Sequence, residues 1–498
     1  MRRVRLVALS GGLLFFVVLA TANSGGYRYG ISDQAFYEPA VRRAMDPSLF
    51  PRDAPLLAAE SHLMGSDKII GGLARALHVD LPPLFFAIYL VTLLTLGIAT
   101  ICLSRTLGYS WWATAVALGL LALRHRIAKT GANSLEGYMH PRELSFAFGV
   151  AAIAALCRRR AGWTVAWLAA AALLHTTTAL WFAMLLGVMA ASLDPRWRRW
   201  VIAAGALAAV AIVVALATRS LASRLVIMDR AWLDVLADKD YLFPTAWPAY
   251  AWIANAAYLP VIWLVMRQRT RLGLAGAEAR AIFLGVLALG AVFLLSVPFT
   301  AAHLALAVQL QVTRVFWFID FVAAIGLAWW ITSSPMKAGA LNRVRPVLVT
   351  LLVGLAAIGR GVYVMRVESP QRSLVQLNLP DSPWTDATAW LRRQPGSWQV
   401  LADPGHAWKY GSSVRVGAER DTVLESVKDS ALAMYDRSLA LRVADRTAAL
   451  GAFDRMTTRE ARALGTMYGA DVLLVDVTRP FDLPVLYRNT AFVVYDLR

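Results

Sequence analysis

Residues 158–199 read RRRAGWTVAWLAAAALLHTTTALWFAMLLGVMAASLDPRWRR. Three arginines open the stretch, and Arg196, Arg198 and Arg199 close it. Between them the chain is strongly apolar, with a polar centre at Leu174-His175-Thr176-Thr177-Thr178. Basic clusters flanking apolar runs stay on the cytoplasmic side of a bilayer. The segment must therefore cross outward and return. Two helices of about 16 residues reach only about 24 Å each, less than the hydrocarbon thickness. The apex at His175 is then expected below the outer surface, because polar groups at that depth need protein or water around them. Short paired helices under a vestibule fit an enzyme or a transporter better than an anchor.

The rest of the chain extends this pattern. Of 498 residues, 58% are hydrophobic and 16% charged, and the mean hydropathy is +0.53. A soluble domain is about half apolar and a quarter charged, so a soluble enzyme and a disordered chain are both excluded. Eighteen tryptophans point the same way, since indoles collect at membrane interfaces. Eleven apolar runs read as spans: 4–23, 84–104, 111–124, 144–157, 162–174, 177–193, 199–218, 250–266, 279–298, 310–332 and 346–365. Arg2, Arg3 and Arg5 place the N-terminus inside. The same side then receives Arg105, Arg158–Arg160, Arg196–Arg199, Arg267–Arg280 and Lys337/Arg343/Arg345. The first run with Ala20-Thr21-Ala22 also resembles a signal peptide and its cleavage site; a retained span is expected.

The formal net charge of +18 is not spread evenly. Residues 370–498 carry 16 basic against 15 acidic side chains. The excess lies among the apolar runs, where it sets orientation and implies no nucleic-acid partner. Cys102 and Cys157 fall in or at the end of spans, so no disulfide framework is expected.

The first outer loop, 24–83, is about 60 residues long, far above usual loop length and hence functional by expectation. It holds Asp33-Gln34 and then Asp46-Pro47-Ser48-Leu49-Phe50-Pro51-Arg52-Asp53. Residues 66–77 have the spacing of an interfacial amphipathic helix. A second outer loop, 125–143, ends Glu136-Gly137-Tyr138-Met139-His140-Pro141-Arg142-Glu143, and a third, 219–249, contains Asp240, Tyr241 and Trp247. Arg314 opens an apolar run that also carries Asp320. An intramembrane charge is a functional candidate by default.

After Met365 the composition shifts. Residues 380–394 read as an amphipathic helix, and 421–450 and 457–468 as further helices. Residues 399–403, 471–476 and 491–495 read as strands. A small α/β domain over 366–498 is expected, without a P-loop, GxGxxG or zinc spacing.

This layout resembles the GT-C glycosyltransferases. The likeness rests on eleven spans, a long first outer loop with an early acid, short central helices and an outer C-terminal α/β domain. Asp33-Gln34, the segment Asp46–Asp53, Pro141-Arg142 and Leu174-His175 also resemble segments of bacterial multi-pass membrane proteins. Tyr468-Gly469-Ala470-Asp471-Val472-Leu473-Leu474-Val475 is similar to segments of outer domains in that superfamily. Many members carry a paired acid in the first loop; here Asp33 is followed by Gln34. The resemblance implies an enzyme of the bacterial inner membrane with its tail in the periplasm. It would move a sugar from a polyprenyl-phosphate donor to an envelope glycan, lipid or protein. A divalent metal is left open, and no metal ligands are assigned.

Such a transfer needs a base for the acceptor hydroxyl and cations for the departing lipid phosphate. Asp33 is assigned as base, its bland alternative being a turn or capping aspartate. Arg314, Arg142, His140 and His175 are assigned to the lipid phosphate. Against these stand an Arg314–Asp320 pair, a capping role for His140, an interface anchor at Arg142 and a hydrogen-bonded core histidine at 175. Asp240, Tyr241 and Trp247 are assigned to the acceptor side, with interface anchoring as the alternative. Competing functions are a transporter or flippase of a lipid-linked or anionic substrate, and a non-catalytic scaffold presenting the tail.

Overall fold

The computed structural model describes residues 2–61, 64–219, 221–334 and 341–498; Lys337 of the last basic cluster lies outside them. All eleven apolar runs are helical: Arg2–Asn23, Leu81–Thr106, Trp111–Ala122, Pro141–Cys157, Ala161–Leu174, Thr176–Leu193, Pro195–Ala217, Ala249–Arg271, Ala277–Ala301, Val315–Ser333 and Leu341–Tyr363. Among the described residues, seven segments are long and apolar enough to cross a membrane. Others, such as Trp111–Ala122 and Ala161–Leu174, are apolar but shorter. Helix Pro195–Ala217 has no buried residue, with Leu207 71% and Val213 62% exposed. No water-soluble fold leaves such a helix uncovered; its surroundings are a lipid bilayer, and the chain is a helical membrane protein.

Local chemistry sets where these helices start. Pro141 occupies a first-turn position, where its missing N–H costs nothing, and His140 caps the helix through Nδ1, which accepts from the Arg142 N–H. His175 ends one helix and caps the next, accepting from the Thr178 N–H. Gly149 lets helix Pro141–Cys157 pass against Phe182, whose ring would lie 2.1 Å from an added Cβ. The segment 310–332 is not one continuous helix. A short helix, Ala305–Gln309, is followed by Gln311 in the left-handed region (φ 50°), a 3-10 turn Val312–Arg314, and then Val315–Ser333.

The tail forms a five-stranded sheet in the order 421–422, 399–402, 472–476, 492–496, 485–488. The first three strands run parallel, and the last two are antiparallel to their neighbours. Strand alternation divides the core. Val400, Val472, Leu474 and Val494 pack under helix Pro383–Arg393 with Trp384 and Leu391. Leu401, Leu473, Val475 and Val493 face the opposite side with Ala440, Val443 and Ala461. Residues 421–450 are not the single helix expected. They form strand Asp421–Thr422, helix Ser426–Leu432, a 3-10 turn and helix Arg437–Leu450, the last started by the Asp436 cap on the Ser438 N–H (2.7 Å). Strand Val485–Arg488 was not anticipated, because it is half exposed and carries no apolar run.

The first outer loop and the tail interlock. Tyr27–Arg28 pairs in parallel with Val375–Gln376. Asp53 is fully buried; its Oδ2 accepts from Arg415 Nε (2.8 Å) and the Thr422 N–H (3.1 Å), and Arg442 ion-pairs with its Oδ1. Arg415 is itself buried and reaches Asp429 at 2.7 Å. Burial opposes ionisation of Asp53, but Arg415 and Arg442 outweigh it and hold the carboxyl below its ordinary range. A depressed pKa gives stability that is present above the unfolded-state value and lost as pH falls through the folded one. Asp53→Asn takes the carboxylate from Arg442 and one of the carboxylates from buried Arg415, which keeps Asp429. Breaking a buried pair from one side costs about 3–5 kcal/mol. The variant is expected to show a lower thermal midpoint and faster proteolysis of the tail at neutral pH, with the gap to wild type closing in acid.

Candidate active site

The apex of the short hairpin lies beneath the first outer loop. The Gly65 N–H donates to the Leu173 carbonyl (3.0 Å), and a Cβ at Gly65 would meet that oxygen at 2.9 Å. The residues assigned from sequence gather around this point.

Asp33 precedes helix Gln34–Met45, but its side chain makes no cap bond. Its Oδ1 accepts from Lys428 Nζ at 2.6 Å. Its Oδ2 accepts from Tyr138 Oη at 3.2 Å and lies 3.3 Å from His140 Nε2. Burial alone would raise this carboxyl; the Lys428 ammonium, the His140 N–H and the Arg142 charge outweigh it and hold it well below the usual carboxylate range. Asp33 is therefore ionised at neutral pH, and its side chain is still 27% exposed.

His140 uses both ring nitrogens within the protein. Nδ1 accepts the Arg142 N–H, so the proton sits on Nε2 and faces Asp33. Burial and the Arg142 charge push its pKa down to about 3. His140 thus has both ring nitrogens turned to protein groups, Nδ1 to the Arg142 N–H and Nε2 to Asp33.

Arg142 is buried, with Nη2 3.5 Å from Glu136 Oε1 and its Cζ 5.7 Å above the Trp317 ring. Its Nε is buried without a partner. Arg314 lies within electrostatic reach of Arg142, Tyr241, Tyr435 and Tyr37, and also of His140. Asp320, the partner weighed from sequence, turns instead to His125, 3.1 Å away. Among the described residues Arg314 forms no ion pair, and its Nε is buried and unpartnered. Leaving a guanidinium in that state is costly, and an anion relieves it. His175 is buried, and its Nδ1 accepts from the Thr178 N–H (3.2 Å). The ring proton is thus on Nε2, and the side chain senses Arg314, His140 and Arg142. Asp33, His140, Arg142, His175 and Arg314 form one connected cluster.

The acceptor-side set stays in one loop, but its side chains are engaged within the protein. Tyr241 is near Arg314, and its carbonyl accepts from Thr313 (2.8 Å). Asp240 ion-pairs with Lys129. Trp247 is 6% exposed; it stacks on Phe293 and donates to the Asp240 carbonyl (3.1 Å). Trp247 is a packing residue and presents no face to a sugar.

Sequence reading missed what the tail contributes. Lys428 closes on Asp33. Tyr435 binds Gln311 Nε2 through its hydroxyl (3.3 Å), and its backbone carbonyl accepts from Gln309 Nε2 (3.3 Å). Arg42, from the helix after Asp33, pairs with Glu419 of the tail at 3.0 Å. The tail therefore roofs the cluster at both ends. Nothing local in its sequence marks these residues.

An open apolar groove of about 410 Å³ runs between helices Thr176–Leu193 and Ala277–Ala301 and segment 304–312. Leu180, Trp181, Met184, Leu295, Phe299 and Val312 line it. It begins on the exposed flank of Ala277–Ala301, where Leu295 is 71% and Phe299 56% exposed. It ends at Val312, two residues from Arg314. Among the described residues, no three His, Cys, Asp or Glu side chains are grouped as for a metal ion. Compared with family models and with curated proteins, the chain matches none.

Proposed function

We propose that the protein is an eleven-span, GT-C-like glycosyltransferase of a bacterial inner membrane, with its N-terminus inside and its tail in the periplasm. It transfers a sugar from a polyprenyl phosphate to an envelope glycan, lipid or protein acceptor. The observation that carries this reading is the electrostatic chain that runs from an ionised carboxylate, Asp33, through His140 and Arg142 to Arg314, a guanidinium without an ion pair among the described residues, two residues from Val312 of a lipid-open groove. The polyprenyl chain takes the groove. Its phosphate takes Arg314, with Arg142 behind and the His175 Nε2 proton as a further donor. The acceptor hydroxyl reaches Asp33 by displacing the Lys428 ammonium. Its oxygen bonds to the anomeric carbon as the carbon–phosphate-oxygen bond breaks. The proton passes to Asp33, and the electron pair leaves with the phosphate, where cations stabilise the growing charge.

A transporter reading draws on one observation, the broken segment 305–333, since transporters use discontinuous helices at their sites. One experiment separates the two. Purified protein is placed in liposomes carrying a labelled polyprenyl-phosphate sugar, with an envelope extract as acceptor. Release of polyprenyl phosphate and movement of label into acceptor support transfer. Movement of intact donor between leaflets supports transport. Neither outcome removes both readings.

A further inference from the structure

At the other end of the bundle lies a second site. Arg158 donates to the Cys102 carbonyl (3.2 Å), which puts the C-terminal ends of Leu81–Thr106 and Pro141–Cys157 together, away from Pro141 and the Asp33 cluster. Here a small, half-open crevice of about 50 Å³ lies between helices Leu81–Thr106, Ala249–Arg271, Ala277–Ala301 and Val315–Ser333. Leu103, Ile262, Val265, Phe283 and Ile325 make its wall apolar. Arg269 is the one charged residue lining it.

Arg269 is 5% exposed. Its Nη2 donates to the Leu107 and Leu274 carbonyls, both at 2.8 Å, and its Cζ lies 4.9 Å from the ring centres of both Tyr109 and Trp329. The aromatic rings and carbonyls fix the guanidinium in place without neutralising it. Its Nε is buried without a partner, and among the described residues it forms no ion pair. The nearest acid by sequence, Glu278 beside the lining residue Ala279, is turned to Arg159 (3.2 Å). Exposed Arg105, Arg267 and Arg271 flank the mouth. A buried charge with no counter-ion is expensive, and an apolar hollow beside it has no use for water. A molecule with an anionic head and a hydrocarbon chain satisfies both.

We propose that this crevice binds an anionic phospholipid of the surrounding bilayer, with the headgroup phosphate on Arg269 and the acyl chains in the bilayer against the apolar flanks of the four helices. Basic pockets between membrane helices take acidic headgroups in this manner. The site is separate from the Asp33 cluster and does not depend on the function proposed there.

The test is native mass spectrometry of the full-length, delipidated protein in detergent. Phosphatidylglycerol, phosphatidylcholine and inorganic phosphate are titrated separately. Phosphatidylglycerol is expected to bind at one saturable site at least about tenfold more tightly than phosphatidylcholine, the scale of one charge-assisted contact. Arg269→Gln is expected to remove that preference. Ala279→Trp, which keeps Arg269 but fills the mouth at a half-exposed position, is expected to lower occupancy and decides the matter if Arg269→Gln does not fold. Equal binding of the two lipids, undiminished phosphatidylglycerol occupancy in Ala279→Trp, or saturation by inorganic phosphate alone would each overturn the proposal.

Discussion

Asp33→Asn is expected to lower sugar transfer by about 10²–10⁴-fold, the usual worth of a positioned base, in a protein that still inserts and purifies as a single species. Asparagine keeps a carbonyl oxygen for the Tyr138 and His140 donors, so the local frame is retained while the negative charge is lost. A merely structural Asp33 would give the reverse: lost yield or a lower thermal midpoint, with the remaining molecules turning over normally. Lys428→Gln supplies a second readout. Because Lys428 favours the ionised carboxyl, its removal raises the pKa of Asp33. The acid limb of the kcat/KM profile, well below the ordinary carboxylate range in wild type, is expected to move upward in pH. An unmoved limb would separate Asp33 from the proton transfer.

Arg314→Ala is expected to reduce kcat/KM for the lipid-linked donor by about 10²–10³-fold, the effect of deleting one group that stabilises developing charge. Arg314 pairs with no carboxylate among the described residues, so its removal strands no buried acid. Stability should therefore stay within about 0.5 kcal/mol of wild type. That combination distinguishes a ligand-binding guanidinium from a structural one such as Arg415, whose loss would strip the buried Asp429 of its guanidinium and leave Asp53 with Arg442 alone. Arg314→Lys should recover part of the loss, since it restores charge but not the planar fork. Full activity in Arg314→Ala, measured at saturating and at low donor, would end its assignment to the phosphate.

How much of this was legible in the residues depends on how local each signal is. Apolar runs bounded by arginines mark helices, and all eleven are helical, although seven segments meet the span criteria on their own. The unbroken apolar run Val472-Leu473-Leu474-Val475 marks a strand with two buried faces, and it is one. Isolated charges in apolar surroundings, Arg142 and Arg314, stood out because burial makes them costly. The break at Gln311 did not, because a left-handed non-glycine residue leaves no mark in composition; Tyr435 of the tail holds it. Lys428 was invisible for a related reason. It is one of 16 basic residues in a nearly neutral domain, and only the packing of helix Ser426–Leu432 onto the first loop brings it to Asp33. The packing of Trp247 on Phe293 was not legible, because an interfacial aromatic and a core aromatic look alike until their neighbours are known. The cap at His140 was legible, because Pro141 marks a first helical turn, and Nδ1 accepts the Arg142 N–H.

The Asp53–Arg415 pair joins residues 362 positions apart, with nearly all of the hydrophobic helices threaded between them. A ribosome releases Asp53 long before Arg415. Until then the carboxylate lacks this counter-ion, and the Asp33 cluster has no Lys428 above it. Roofing of the cluster is thus tied to synthesis of the tail, and a nascent chain that stops short of Arg415, however well inserted, carries it uncovered.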